Sequence, residues 1–215
     1  DYYTRCTALA AEKYFERGGS SLLVTRVSKQ NFSPASATIT SGSTSWVTLT
    51  TMTEGTIMNN SSSVGTNNSL ASGSADNIRY EVTSKNIQQG TFSLIIRRGD
   101  DNEKNKIVLE SYQNLSLDPK STNYVARVIG DQYRTNQGAS VLVEGEYPNA
   151  SKYVYVSSVN TKMPDYLDNN GVANTAYSAS FVGFQIGSGS FNGSFASGTG
   201  TLFQAAVQAQ FVNLT

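Results

Sequence analysis

The stretch "RRGDDNE" (Arg97–Glu103) packs five charged side chains into seven positions. Three of them, Asp100, Asp101 and Glu103, are carboxylates, which is how a calcium loop begins. Such a loop also needs further oxygen ligands, a glycine at its sixth position and a closing Glu, and none of these falls in register here. Arg97 and Arg98, just ahead, supply counter-charge. The grouping therefore reads as a charged turn between two strands, solvated or pressed against another protein. Arg97, Arg98, Asp100, Asp101 and Glu103 are the candidate residues for a contact with another protein.

Other chemistries lack their parts. The chain has no His, which removes the commonest general base, the commonest metal ligand and every His-based triad. "GSGSFNGSFASGTG" (Gly187–Gly200) is glycine-rich, yet it holds neither a phosphate-cradling signature nor a nucleophile elbow. The acids are scattered, without the pairing of glycosidase carboxylates. Cys6 stands alone, so no disulfide can form within the chain, and a lone Cys in a helical stretch reads as a small buried hydrophobe. Asn-x-Ser/Thr triplets at Asn31, Asn60, Asn68, Asn114, Asn149, Asn192 and Asn213 read as chance in so Asn- and Ser-rich a chain. The expectation is a protein that is not an enzyme and takes no cofactor or metal.

Composition narrows the partners. Sixteen basic residues balance sixteen acidic ones, with no Lys/Arg run, so a nucleic-acid partner is not expected. No apolar run approaches the ~18 residues of a membrane helix, so no membrane partner is expected either. A neutral chain repels its own copies weakly, which suits a protein that packs against itself. The chain opens without Met, already inside a helical pattern, and reads as a fragment of a longer polypeptide.

These residues must be positioned by a few elements. Tyr3, Cys6, Ala10 and Tyr14, with Leu9 alongside, recur at helical spacing over residues 2–17, and Gly18-Gly19 is the stop. "SLLVTRV" (Ser21–Val27) reads as a buried strand. Residues 28–75 are mostly small and polar, with a strand at Trp46–Thr50 and an exposed loop at Asn59–Ser74. "NIRYEVTS" alternates Ile78, Tyr80 and Val82 inward with Arg79, Glu81 and Thr83 outward. Followed by "TFSLIIRR" and "KIVLESY", it predicts an antiparallel meander. "LDPKSTNYVARVIGD" predicts a helix over about 118–130, with Asp118 as N-cap, Pro119 in the first turn and Gly130 as stop. "ASVLVEGEYPNASKYVYVSSV" predicts two strands around a "YPNAS" turn. The organisation expected is 1–27 helix–strand part of a core, 28–160 β-rich domain, and 161–215 a Gly/Ser/Phe-rich segment of strand or loop. The class is α+β: antiparallel sheets, a few packed helices, and a β-rich, loop-rich inserted or decorating domain.

"GTFSLIIRRGDD", "LDPKSTNYVARVIGD" and "EGEYPNASKYVYV" together resemble the central domain of contractile tail sheath proteins of bacteriophages. "EGTIMNN", "SGSADNIRYEVTSKN" and the opening "YYTRCTALAAEKYFERGGSSLLVTRVS" fit the same pattern, so the resemblance spans residues 1–27 and about 54–160. It implies a structural subunit that polymerises around a tail tube and contracts to drive the tube through the host envelope. The implied partners are other copies of the subunit, the tail tube protein, and baseplate and tail terminator proteins. The implied location is the virion tail, assembled in the bacterial host cytoplasm. This fragment alone is expected to be monomeric. The alternative from the residues is a β-rich adhesin or receptor-binding module, with surface Tyr or Trp46 flooring a glycan site.

Overall fold

A computed structural model describes residues 6–22, 34–54, 65–71, 73–75, 77–137 and 140–191. In chain order its elements are α1 (Cys6–Glu16), β1 (Pro34–Ser41), β2 (Thr44–Glu54), β3 (Ile78–Asn86), β4 (Thr91–Arg98), β5 (Val108–Ser116), α2 (Val125–Ile129), β6 (Tyr133–Gln137), β7 (Ser140–Glu144), β8 (Val154–Val159), α3 (Thr175–Val182) and β9 (Gly187–Ser190). The strands form three antiparallel sheets, ordered β1-β2-β8, β5-β4-β3-β9 and β6-β7. The class is α+β, as the alternating patterns imply.

The first two sheets, α2 and α3 enclose one apolar core. Strand β1 shows the cause at residue level: Ala35, Ala37 and Ile39 point inward while Pro34, Ser36 and Thr38 stay exposed, the two-residue period of a half-buried strand. Strand β4 sends Phe92, Leu94 and Ile96 into the same core, with β3 contributing Val82 and β5 Leu115. Trp46 lies at its centre, 5.7 Å from the ring of Phe181 and 5.1 Å from that of Phe184.

Three expectations need correction, and one strand pairing that the patterns left open is now assigned. The helix predicted over 118–130 covers only Val125–Ile129. The Asp118 carboxylate accepts the Lys120 N–H at 2.9 Å and the Asp118 carbonyl accepts the Ser121 N–H at 3.0 Å, so Asp-Pro folds as a side-chain-closed turn. The Ser116 N–H then donates to the Asn123 carbonyl at 2.8 Å, and the residues between run through consecutive turns, so helix begins only after Tyr124. Gly130, at φ +104°, is the stop as expected.

Secondly, the two strands expected around the "YPNAS" turn are present as β7 and β8, and they do not pair with each other. Strand β7 turns back on β6, which the pattern did not predict, while β8 pairs with β2 about a hundred residues earlier. Thirdly, residues 175–182 are helical rather than strand or loop. The Asn174 side chain caps α3 by accepting the Ala176 N–H at 3.0 Å, and Phe181 and Phe184 follow into the core. Fourthly, Ala10 and Tyr14 of α1 are exposed, and Ala11 is the buried residue. The Tyr14 ring folds against Phe15 instead of inward. The Cys6 side chain, Tyr3, most of the predicted strand Ser21–Val27 and the closing segment from 192 lie outside the described residues.

Candidate functional site

Strands β3 and β4 place Arg79 directly opposite Arg97 on the sheet face turned away from the core. Alternation predicts that face to meet water. Around the two arginines it does not, because the 65–71 segment and the 99–107 turn cover them and Ser188 of β9 closes the edge, leaving both side chains fully buried. Val108 and Ser111 of β5, paired with Arg97 and Ile95, stay exposed. Two like charges directly across a ladder repel, and Asp101 is what makes the arrangement tenable. Its Oδ2 accepts from Arg97 Nε at 2.6 Å and its Oδ1 from Arg97 Nη2 at 2.9 Å, the two-pronged geometry of a strong guanidinium–carboxylate pair. Arg79 Nη1 reaches the same Oδ1 at 3.5 Å, and the Ile107 N–H reaches Oδ2 at 3.0 Å.

The other donors are met from the rim, except the buried Arg79 Nε, which has no hydrogen-bond partner. Arg97 Nη1 donates to Glu81 Oε2 at 2.6 Å and Nη2 to the Asn102 carbonyl at 3.1 Å. Arg79 donates to the Asn68 carbonyl at 2.6 Å, to Asn68 Oδ1 at 3.1 Å and to Ser188 Oγ at 2.8 Å. Lys106 closes the circuit onto Glu81 at 2.9 Å and Glu103 at 2.6 Å. Three cations (Arg79, Arg97, Lys106) thus meet three carboxylates (Glu81, Asp101, Glu103), and the cluster is neutral.

Local sequence explains the roof. Asn67 and Asn68 both adopt left-handed backbone, φ 60° and 56°, which Asn tolerates better than most residues. That turn aims the Asn68 carbonyl and side chain at Arg79. The Asn67 side-chain amide and carbonyl hold the facing turn, bonding Asn102 Oδ1 at 2.9 Å and the Glu103 N–H at 2.8 Å. Asn102 Oδ1 in turn accepts the Lys104 and Asn105 N–H groups, each at 3.0 Å, shaping the turn internally.

Burial lowers the Arg79 pKa, and the facing Arg97 charge lowers it further, against the opposing pull of Asp101 and Glu81. Burial acts on Arg97 in the same direction, but hydrogen bonds and charge from Asp101 and Glu81 outweigh it, and its pKa is raised. Hydrogen bonds from Lys106 and Asn68 hold Glu103 below the usual Glu range. Hydrogen bonds to Glu103 and Glu81 hold Lys106 above the usual Lys range. With two hydrogen bonds to each oxygen, the Asp101 carboxylate is a bracket between the two arginines and the Ile107 N–H. The network therefore joins the 65–71 segment and the charged turn to the sheet, with Ser188 of β9 among its members.

The predicted contact patch divides. Arg97 and Asp101 are inside the network, so they are neither solvated nor available to another subunit. Glu103 stands on its half-exposed rim. Arg98 and Asp100 lie outside it and pair with each other at 2.6 and 3.0 Å. The pattern missed Arg79, Glu81, Lys106, Asn68 and Ser188, which arrive from four separate segments. The one signal for Arg79 was positional: once the β3–β4 hairpin is in register, it must face Arg97.

A second bracket joins the two larger sheets. Glu110 of β5 accepts from Tyr112 Oη at 2.9 Å, Ser151 Oγ at 2.6 Å and the Lys152 N–H at 2.8 Å, just ahead of β8. Trp46, a candidate glycan floor, is sealed in the core and cannot meet a sugar. Compared with models of known protein families and with curated proteins, the chain matches none.

Proposed function

We propose that this chain is the central part of a contractile phage tail sheath subunit, a body that carries load between neighbours and performs no chemistry. One observation carries the mechanical half of this reading. The sheet β5-β4-β3-β9 is held by the apolar core on one face and, at its Arg79–Arg97 end, by the six-charge network on the other. A sheet covered on a single face can twist under force, whereas this one would have to break buried ion pairs to do so. The resemblance of "GTFSLIIRRGDD", "LDPKSTNYVARVIGD" and "EGEYPNASKYVYV" to sheath proteins supplies the assembly.

In that assembly the subunits surround the tail tube between baseplate and terminator. Contraction is a passage between two packings of the same rigid bodies. The buried parts of the charged turn hold the body together, and its exposed members, Arg98, Asp100 and Glu103, are the ones free to meet a neighbour. Electron microscopy of the protein expressed from its complete gene, with and without the tail tube protein, tests the reading. Tubes or stacked rings of regular width support it. Dispersed particles in both preparations reject it and turn attention to glycan binding.

A further inference from the structure

The β6–β7 ribbon has two strands and no third partner among the described residues. A two-stranded ribbon is marginal in water by itself, and this one exposes aliphatic side chains on both faces. Val141 is 60% exposed and Val143 53% on one face, and Leu142 is 44% exposed on the other. Its two edges differ. Strand β6 reads Tyr-Arg-Thr-Asn-Gln, the polar and charged composition that discourages edge pairing. Strand β7 reads Ser-Val-Leu-Val-Glu, aliphatic and β-branched, with no guarding charge until its last residue.

We propose that the free edge of β7 pairs antiparallel with β7 of a second copy of this chain, about a two-fold axis at Leu142. The strand is self-complementary in that register. Leu142 faces Leu142 of the other copy, and Val141 faces Val143, so four valines gather on one face of a four-stranded sheet. Charge permits it: Glu144 falls opposite Ser140 and never opposite another Glu. Glu144 is also held within its own copy by the Tyr133 hydroxyl and by Thr135 Oγ1 at 3.1 Å. The chain's balance of 16 basic and 16 acidic residues adds no long-range repulsion. Five residues of edge pairing bury well under the ~1,200 Å² of a stable interface. A single contact is therefore weak, the dilute chain stays monomeric, and the pairing gains strength where many copies are held close together.

The pairing rests on the ribbon and not on the sheath reading, so either can fail without the other. The test uses Leu142→Cys in a Cys6→Ser background, with Val172→Cys, 61% exposed and outside the ribbon, as reference. Under mild oxidation the Leu142→Cys protein forms disulfide dimers at least about tenfold faster than the reference, because proximity replaces a random encounter. Sedimentation equilibrium from about 10 μM to about 1 mM shows reversible dimerisation. Val141→Lys with Val143→Lys weakens it by roughly tenfold or more, since both cross-strand valine pairs on that one face are replaced by facing charges. Equal oxidation rates, a monomer at every concentration, or a dimer indifferent to the lysines would each overturn the proposal.

Discussion

Asp101 is the residue on which the buried network depends. Removing its charge leaves Arg97 and Arg79 facing each other without their shared counter-ion, in a site from which water is excluded. Asp101→Asn is expected to cost about 3–5 kcal/mol, the range for breaking a buried pair by removing one partner. Urea unfolding would show this as a lowered midpoint with an unchanged slope. Arg98→Ala, a few ångströms away but outside the roof, should leave the midpoint where it is. Equal effects from the two substitutions would mean the burial of Arg97 has no energetic consequence. The tyrosines make a second residue-scale prediction. Burial raises the pKa of Tyr80, Tyr112, Tyr124, Tyr155 and Tyr166, Tyr112 most plainly. A folded pKa above the unfolded value of 10.0 means that these rings contribute stability fully present below pH 10.0, lost as pH rises through the raised values. Tyrosinate absorbance should thus rise together with loss of far-ultraviolet circular dichroism above pH 10.0. Gradual ionisation with the fold intact would place these hydroxyls in water.

At the scale of elements, β9 is the instructive case. Gly-Ser-Gly-Ser has little intrinsic preference for strand, yet it pairs with β3 from Arg79 to Val82. Two tertiary contacts hold it there. Ser188 Oγ is bonded by Arg79 and Asn68, and Gly189 lets the Tyr80 ring lie flat against the backbone, where a Cβ would come within 2.4 Å of ring atoms. Gly189→Ala must displace Tyr80 from its edge contact with Phe191, at an expected cost of about 1–3 kcal/mol for overpacking. Hydrogen exchange should show β9 and the facing amides of β3 losing protection while β4 and β5 keep theirs. Unchanged protection in β9 would show that Tyr80 yields freely. The short α2 teaches the same lesson: Asp-Pro is a start signal for helix and for turn alike, and the strand-like pairing of Ser116 decided between them.

For the whole molecule, the apolar core and the two brackets predict that the described residues from 34 onward unfold as a single cooperative unit. Circular dichroism, Trp46 fluorescence and hydrogen exchange in β5 should report one unfolding transition. Trp46 is the useful probe, since it touches Phe181 and Phe184 from the far end of the chain. If its transition preceded loss of the β4–β5 pairing, α3 would be a separately melting attachment and the proposed load path would be broken. Size-exclusion chromatography of the dilute chain should give a monomer, consistent with a weak β7 contact.

The local patterns of this sequence determined its class and its strongest elements. Period-two alternation set the β3–β4–β5 meander, and burial of Val154 and Val156 against Tyr153 and Tyr155 followed from the same rule. Such signals are local, because neighbouring residues share one backbone geometry. The partners of β7, β8 and β9, the helix at 175–182 and the fate of Arg79 were decided only by tertiary structure. Alternation says that Arg79 leaves the core face; it cannot say whether water or protein waits on the other side. That depended on Asn68, Asp101 and Ser188 converging from distant segments, and a buried charge is stable only where such partners have already been assembled.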